Sequence, residues 1–349
     1  MAPKSALKET LMPLFTSPFQ PEPPTRPAVA QHRKGVLLVN LGTPNSPTAP
    51  DVRRYLKEFL SDPRVVELPA LLWQPILRGI ILNTRPAKSA RKYASIWMPD
   101  GSPLLVYSQR LATKLEAALE DTRVITAMRY GQPSIAAGLE ALRAAGCDRI
   151  VILPLYPQYA ASTVGSVYDA VFATLQHWRN QPELRLVRQY FDHPAHIEAL
   201  KQQVLGYWQQ HGRPDCLLMS FHGLPQKSSE LGDPYADECL YTGRALADAL
   251  ELPEAGYRIT FQSRFGLQEW LQPYTDESLR ALAKEGYRRV DTFCPGFATD
   301  CLETLEEIAM EGKEAFLGAG GREFHYIPAL NDSDSSVAML QAIVARHDA

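Results

Sequence analysis

The sequence predicts an α/β protein with two Rossmann-like, doubly wound parallel-sheet domains of similar plan and a cleft between them. Short apolar runs alternate with helical patterns along the chain, which is typical of βαβ units with right-handed crossovers. The runs end sharply at turns that contain glycine or proline, as buried parallel strands do. Several segments also recur in the same order in the two halves of the chain.

Apolar runs supply the predicted strands. They are Val36–Leu41, Arg123–Met128, Ile150–Leu155, Leu186–Tyr190, Cys216–Phe221, Tyr257–Gln262, Val290–Cys294 and Phe324–Ile327. Ligands of open parallel sheets bind beyond the carboxyl ends of such strands, so we expect the functional residues in the turns that follow.

The internal repeat predicts that both domains share one plan. The matched pairs are residues 38–44 with 219–225, Arg129–Gly131 with Arg264–Gly266, and residues 139–146 with 279–286. Gly42 aligns with Gly223 in the first pair, and a turn interrupted by proline follows the next predicted strand in both halves. Three matches in the same order favour a duplicated fold over a general likeness between α/β halves.

We place the domain boundaries from these patterns. Residues 1–34 contain seven prolines and are expected to form a flexible tail. Residues 35–190 form the predicted N-terminal domain, with an apolar insert at about 60–105, and residues 191–328 form the C-terminal domain. Residues 329–349 are expected to form a helix that packs back on the N-terminal domain.

The apolar insert makes the N-terminal half 46 residues longer between matched motifs, 87 against 41. Its segment Leu71–Leu82 is more apolar than a surface loop should be. It is either a lip over a large flat apolar ligand, a membrane-surface contact or a buried helix, of which the buried helix is the usual outcome.

Composition limits the class of protein. The chain has 349 residues, a net charge of −3 and a pI near 6.3, which does not suggest a nucleic-acid partner. Five cysteines without a C-x-x-C pair argue against a disulfide framework or a structural zinc site. The first residues lack the pattern of a signal peptide, so we expect a cytoplasmic protein.

His222 is the first candidate for chemistry, because it ends the predicted strand Cys216–Phe221 and is followed at once by Gly223. A histidine there can exchange protons near neutral pH or ligate a metal, although a hydrogen-bonded core histidine would give the same pattern. The other histidines, such as His193 and His196, are expected at the surface.

A line of carboxylates is the second candidate. Asp300, Glu303 and Glu307 are spaced i, i+3 and i+7, so a helix would align them on one face. A helix cap is the favoured interpretation for Asp300. Glu307 lies two turns inside the helix, where capping does not apply, and such a line can pass a divalent metal or protons to a site.

Nine segments carry a resemblance to a known family. They are Val39–Pro44, Gly101–Leu104, Arg129–Tyr130, Tyr156–Tyr159 with Ser162–Ser166, Ser220–Pro225, Gly232–Tyr235, Phe261–Arg264, Trp270–Glu277 and Phe297–Leu305. With these motifs in this order, the chain resembles the ferrochelatases, which insert ferrous iron into a porphyrin. The last segment is especially similar to the enzymes of Gram-negative bacteria.

The resemblance implies that the porphyrin lies in the cleft between two Rossmann-like domains. It implies that His222 and Glu303 face the macrocycle and contact the metal, and that Glu307 continues the acidic line. Arg129, Tyr130 and Trp270 match residues placed around the porphyrin. The apolar insert matches the family's active-site lip.

The resemblance also sets expectations for metals and partners. Fe²⁺ is expected as a substrate and no tightly bound cofactor is expected. The sequence has no cysteine after Cys301, so we expect no [2Fe–2S] cluster of the kind that some members carry. Animal members have a histidine at the position of Cys301, which weakens a metal role there. A monomer is favoured, with a peripheral contact of the lip with the inner membrane as an open alternative.

The implied mechanism makes His222 the acceptor of pyrrole protons, with Glu303 coordinating iron or relaying protons. The cleft is expected to bend the porphyrin and so expose its nitrogen lone pairs. Two alternatives remain open: a chelatase that loads cobalt or nickel into a sirohydrochlorin, and a two-domain protein that binds a tetrapyrrole without chemistry.

Overall fold

The computed structural model describes residues 33–266 and 268–348, together with residue 19. The predicted tail therefore lies outside the described residues, apart from residues 19, 33 and 34. Two parallel sheets of four strands each form the frame, with the orders β2-β1-β3-β4 and β6-β5-β7-β8. The strands are β1 (Arg33–Thr43), β2 (Thr122–Gly131), β3 (Cys147–Pro154), β4 (Glu183–Leu186), β5 (Cys216–His222), β6 (Tyr257–Gln262), β7 (Arg289–Phe293) and β8 (Glu323–Tyr326). The identical order in both sheets confirms the predicted α/β fold with two halves of similar plan.

Helices cover the sheets and connect the strands. They are α1 (Ala49–Phe59), α2 (Ala70–Ile76), α3 (Leu82–Ile96), α4 (Pro103–Ala118), α5 (Ile135–Ala144), α6 (Ser166–Leu175), α7 (Pro194–His211), α8 (Gln226–Glu230), α9 (Tyr235–Ala249), α10 (Thr275–Lys284), α11 (Lys313–Gly318) and α12 (Asp334–Asp348). Wider π-helical segments run over Leu77–Ile81, Ala161–Gly165 and Glu303–Gly312. Among the described residues, no helix has the length and apolar character needed to cross a membrane.

The inner strands β1 and β5 explain why the sheets form. Val36–Val39 and Leu217–Phe221 are almost completely inaccessible to solvent, because helices pack on both faces of each sheet. Burying each such aliphatic side chain stabilises the fold by roughly 1.5–3 kcal/mol. The carboxyl ends of these strands are therefore held rigidly, which suits them to carry a site.

A shared apolar core joins the two halves. It contains Leu38 of β1, Met219 of β5 and Leu340 of the last helix, α12. Helix α12 packs against α7 and against α4 of the N-terminal half, and Gln341 Nε2 donates to the carbonyl of Ala118 at 2.7 Å. The C-terminal segment thus ties the second half to the first.

The repeated glycine has the same physical role in both halves. A Cβ at Gly42 would lie 1.8 Å from the carbonyl oxygen of Tyr130, and a Cβ at Gly223 would lie 2.6 Å from that of Gln262. Only glycine lets the end of each central strand pass so close to its neighbour.

The strand register corrects one of the matches made from sequence. Asn40 pairs with Met128, and Phe221 pairs with Phe261. With the two glycines aligned, Arg129 therefore corresponds to Gln262, and its match with Arg264 was wrong by two residues. The residues after β6 that resemble Arg129–Gly131 lie in a loop, where no strand pairing fixes their alignment.

The fourth strand was also placed too late in the sequence. The prediction was Leu186–Tyr190, whereas β4 is Glu183–Leu186. This edge strand alternates exposed and half-buried residues, so it has little of the apolar signal of a central strand. Val187 and Tyr190 are apolar because they pack into the core beyond the strand.

The prediction of a surface position for His196 was wrong. Its side chain is 1% exposed on the inner face of α7, with the Tyr190 ring at 5.4 Å and Met339 Sδ 3.3 Å from Nδ1. Burial lowers the pKa of His196 to about 3, so the ring is neutral. His193 lies just before α7, where its side chain accepts a hydrogen bond from the Ala195 N–H at 3.2 Å.

Candidate active site

The carboxyl ends of the two sheets meet in one cleft. Asn40, near the end of β1, donates through Nδ2 to the hydroxyl of Thr299, which follows β7, at 3.0 Å. This buried hydrogen bond joins the halves where open α/β sheets place their ligands. The predicted site residues are distributed around it.

His222 is the last residue of β5 and is half-buried. Its Nδ1 lies 2.7 Å from the carbonyl oxygen of Gly223. A carbonyl can only accept, so Nδ1 carries the proton and the neutral ring keeps Nε2 as its basic nitrogen. The backbone of the following glycine thus fixes both the orientation and the tautomer of the imidazole.

Glu303 begins the π-helical segment that runs to Gly312. In this wider helix the backbone bonds reach five residues, and such segments occur frequently at functional sites. Gln262 Nε2 donates to the Glu303 carbonyl oxygen at 2.7 Å, which gives that backbone group a partner. Burial raises the pKa of Tyr93 of the N-terminal half well above its ordinary value, and the charge of Glu303 raises it further.

Glu307 is held by the loop after β6. One carboxylate oxygen accepts the Ser263 N–H at 2.6 Å, and the other accepts a short hydrogen bond from the Ser263 hydroxyl. Burial raises the pKa of Glu307 and the Glu303 charge raises it further, whereas Ser263 and His222 lower it. The charges of His222 and Glu303 therefore both act on the Glu307 carboxyl group.

Asp300 does not belong to this group, and its interpretation as a helix cap was wrong. Its buried carboxylate accepts hydrogen bonds from the Thr304 hydroxyl at 2.9 Å, from Tyr326 OH at 2.5 Å and from Asn331 Nδ2 at 2.7 Å. It therefore ties the loop after β8 to the start of the π-helical segment. The assumption of a regular α-helix had placed it in line with Glu303.

Arg129 and Tyr130 end β2 and are engaged by protein groups. Arg129 Nη2 lies 2.6 Å from Oδ2 of Asp62, and Nε donates to the Ser166 hydroxyl at 2.6 Å. Tyr130 is fully buried and donates through its hydroxyl to Asp62 at 2.8 Å. Asp62 was missed from sequence, because its partners lie more than sixty residues away along the chain.

Trp270 lies on the loop after β6 and is 5% exposed. Its Nε1 donates to the Phe265 carbonyl at 2.9 Å, and the two rings lie 5.0 Å apart. Phe265 is half-exposed and faces the guanidinium of Arg85 on α3, 5.8 Å from the ring centre. The loop of the C-terminal half thus meets the insert of the N-terminal half.

The insert forms the helical lip, which we define as residues 68–96. Of the three alternatives, a fully buried helix does not describe its outer face, where large apolar side chains are exposed to solvent: Leu68, Leu71, Leu72, Ile76 and Ile80. Leu77 and Leu82 are buried on the inner face. Lys92 at the far end pairs with Glu306 at 2.9 Å and with Glu311 at 2.8 Å, which joins the lip to the π-helical segment.

A cavity of about 730 Å³ opens on the other side of Glu307, between α10 and the π-helical segment. Glu311 and Glu314 continue the acidic line along its wall. In the part of the chain that the structure describes, no group of three or more His, Cys, Asp or Glu side chains is arranged to hold a metal ion. All five cysteines are buried, and none of them forms a disulfide.

This fold and site define a two-domain chelatase-like protein. The fold is similar to that of the sirohydrochlorin chelatase SirB from Bacillus subtilis subspecies spizizenii in complex with cobalt, with a TM-score of 0.54 and 9% sequence identity over 90% of this chain and 96% of that one. The ferrochelatase family model matches residues 33–348. The chain is 59% identical to a ferrochelatase from Azoarcus sp. (strain BH72) over 88% of this chain and 86% of the relative. It is 57% identical to a ferrochelatase from Aromatoleum aromaticum over 89% and 87%. The chain belongs to the ferrochelatase family.

Proposed function

We propose that this ferrochelatase inserts Fe²⁺ into protoporphyrin IX to give protohaem, the final step of haem biosynthesis. The observation that carries the proposal is the geometry of His222, whose Nδ1 is bound to the Gly223 carbonyl while Nε2 keeps its lone pair. Glu303 and Glu307 belong to the same π-helical segment, and the charge of Glu303 raises the pKa of Glu307. A base and two acids beside a large apolar lip fit a macrocycle that must lose protons.

Metal insertion requires that both pyrrole N–H protons leave as Fe²⁺ enters, so that neutral porphyrin plus Fe²⁺ gives neutral metalloporphyrin plus two protons. His222 Nε2 accepts a pyrrole proton as general base. Glu303 contacts the incoming iron or passes protons to Glu307. A carboxyl group with a raised pKa holds a proton closer to neutral pH, so Glu307 is suited to release it toward the cavity behind it.

The N-terminal half binds and bends the porphyrin. The lip supplies apolar surface over the cleft, and Arg129 supplies a fixed positive charge at the end of β2. Binding energy from these remote contacts distorts the ring, which turns its nitrogen lone pairs out of the plane. Tyr130 is buried beneath Arg129 and supports it, and Trp270 forms part of the opposite wall.

We further propose that the protein acts as a monomer in the cytoplasm, with its lip resting on the surface of the inner membrane. Exposed leucine and isoleucine side chains on adjacent turns of the lip form an apolar patch of the kind that marks an interaction surface. A poorly soluble porphyrin would pass from the bilayer to the cleft beneath such a patch.

The test is anaerobic Fe²⁺ insertion into protoporphyrin IX, followed by loss of porphyrin fluorescence, with wild-type, His222→Ala and His177→Ala proteins. Removal of a general base typically lowers turnover by about 10²–10⁴-fold, so we expect that loss for His222→Ala with porphyrin binding retained. His177 is exposed in the turn after α6 and serves as the matched control. Near wild-type insertion by His222→Ala would exclude the assigned base, and failure of the wild type to metallate bound protoporphyrin would exclude the proposed reaction.

A further inference from the structure

Asp62 lies between α1 and the lip, and its side chain is 5% exposed. Its Oδ2 accepts three hydrogen bonds, from Arg129 Nη2 at 2.6 Å, from Tyr130 OH at 2.8 Å and from Ser166 Oγ at 2.6 Å. Its Oδ1 accepts the Arg64 N–H at 2.8 Å. Three separate parts of the N-terminal half therefore converge on one buried carboxylate.

These contacts keep Asp62 ionised. Burial alone would raise its pKa, but the hydrogen bonds from Ser166, Arg64 and Tyr130 and the charge of Arg129 together hold the pKa below its usual value. A buried ion pair of this kind is sensitive to the loss of either partner, because the remaining charge is left without compensation.

The same contacts fix the guanidinium of Arg129. Nη2 is held by Asp62, Nε is held by the hydroxyl and the carbonyl of Ser166, and the group lies 4.5 Å from the centre of the Tyr130 ring. Because the planar guanidinium is contacted at two of its nitrogens and on one face, it is held in a single orientation. Within the described residues, Nη1 is the Arg129 nitrogen that no protein acceptor engages, so it remains for a ligand.

We propose that Asp62 is a positioning residue for the iron-insertion reaction. Asp62 acts through Arg129, whose free N–H groups it holds toward the porphyrin. This role rests on the proposed function. The carboxylate carries no proton and contacts no reacting atom. Its contribution is to keep the Arg129 charge in one place while the ring is bound and bent.

The test is a double-mutant cycle on kcat/KM for Fe²⁺ insertion, with Asp62→Asn, Arg129→Ala and the double variant. Asp62→Asn removes the negative charge but keeps the size of the side chain, and we expect a loss of about 10–100-fold, as for other residues that orient a functional group. In the Arg129→Ala background the same change should alter kcat/KM by less than about threefold, because the group that Asp62 orients is gone.

The matched control is Asp169→Asn. Asp169 also pairs with an arginine, Arg64, in the same region, but its side chain is 52% exposed. We expect kcat/KM within about twofold of wild type for an exposed pair of this kind. The melting temperature of each variant is measured alongside, so that activity is compared between folded proteins.

Losses that multiply in the double variant would overturn the proposal, since Asp62 would then act independently of Arg129. Unchanged activity in Asp62→Asn would also overturn it. If Asp62→Asn is too unstable to purify, Tyr130→Phe is used, because it removes one hydrogen-bond donor to Asp62 but keeps the ring against Arg129, and it too should have little effect in the Arg129→Ala background. A wild-type protein without iron insertion would instead overturn the proposed function, and this role with it.

Discussion

The two halves of this ferrochelatase share one sheet order and one close approach at a glycine, but they differ in how the polar groups at their strand ends are paired. In the N-terminal half, Arg129 (through Nε and Nη2) and Tyr130 are held by Asp62 and Ser166. In the C-terminal half, His222 keeps a basic nitrogen and Glu303 lies close to a second carboxylate, Glu307. Paired charges hold a ligand in place, whereas unpaired ones can exchange protons. Under the proposed function, the N-terminal half therefore binds the porphyrin and the C-terminal half carries out the proton transfer.

The proposed difference in role between the two halves is tested most directly with two glutamates that have similar contacts. Glu307 accepts the backbone N–H of Ser263 at 2.6 Å after β6, and Glu58 accepts that of Gly131 at 2.9 Å at the end of β2. Glutamine keeps an acceptor oxygen at both sites and removes the charge. We expect Glu307→Gln to lower kcat by about 10²–10⁴-fold through loss of proton transfer. Glu58→Gln should remain within about twofold of wild type, as is usual for exposed sites.

Equal losses in the two variants would contradict the division of roles.

The pH dependence of stability gives a second test of Glu307. Its folded-state pKa is raised, so its contribution is present at low pH and is lost as the pH rises through that pKa. Urea unfolding of wild type and Glu307→Gln should therefore show the variant gaining stability relative to wild type between pH 5 and pH 8.

The backbone at the repeated glycine also differs between the two halves. Gly42 has a φ of +117° and its added Cβ would overlap the Tyr130 carbonyl, whereas Gly223 has no positive φ and a longer contact with Gln262. Overpacking typically costs about 1–3 kcal/mol, and the backbone strain at Gly42 adds to it. Urea unfolding should show that Gly42→Ala lowers the free energy of unfolding more than Gly223→Ala does. The reverse order would show that the close contact and the positive φ at Gly42 do not determine the cost of the substitution.

The sequence predicted those parts of the fold that depend on local patterns. Apolar runs located the central strands, and Gly42 near the end of β1 and Gly223 just after β5 located the turns of the site. His222 and Glu307 could be chosen because each breaks a local rule, a histidine at a strand end and an acid two turns inside a helix. The family resemblance then supplied their roles as expectations.

The parts that sequence could not give depend on distant residues. The partners of Asp62 come from β2 and from the start of α6, and no periodicity connects them. The helix that contains Glu303 begins only at Leu302, so Asp300 lies before it, and no local signal marked that start. Burial of His196 depends on Met339 of α12, which arrives from the far end of the chain.

The smallest expected effect concerns the outer face of the lip, a feature that the C-terminal half lacks between its first two strands. Leu71 is 91% exposed and Leu72 is 65% exposed, and both stand on the first turn of α2. Leu231 in the C-terminal half is 68% exposed but isolated, which makes it a matched control. Burial of a leucine in an apolar phase gains about 1.5–3 kcal/mol at most, so partial insertion of two leucines corresponds to about a tenfold change in binding.

Sedimentation with phosphatidylethanolamine–phosphatidylglycerol vesicles measures this difference directly. The double variant Leu71→Asp/Leu72→Asp should bind about tenfold more weakly than wild type, whereas Leu231→Asp should bind like wild type. Iron insertion into detergent-solubilised porphyrin should be equal in all three proteins, because the detergent then replaces the membrane as the source of porphyrin. Equal vesicle binding by all three would remove the membrane role from the lip and leave it only as a wall of the cleft. The insert would then serve the same binding function as the rest of its half, and the contrast between the halves would lie wholly at the strand ends.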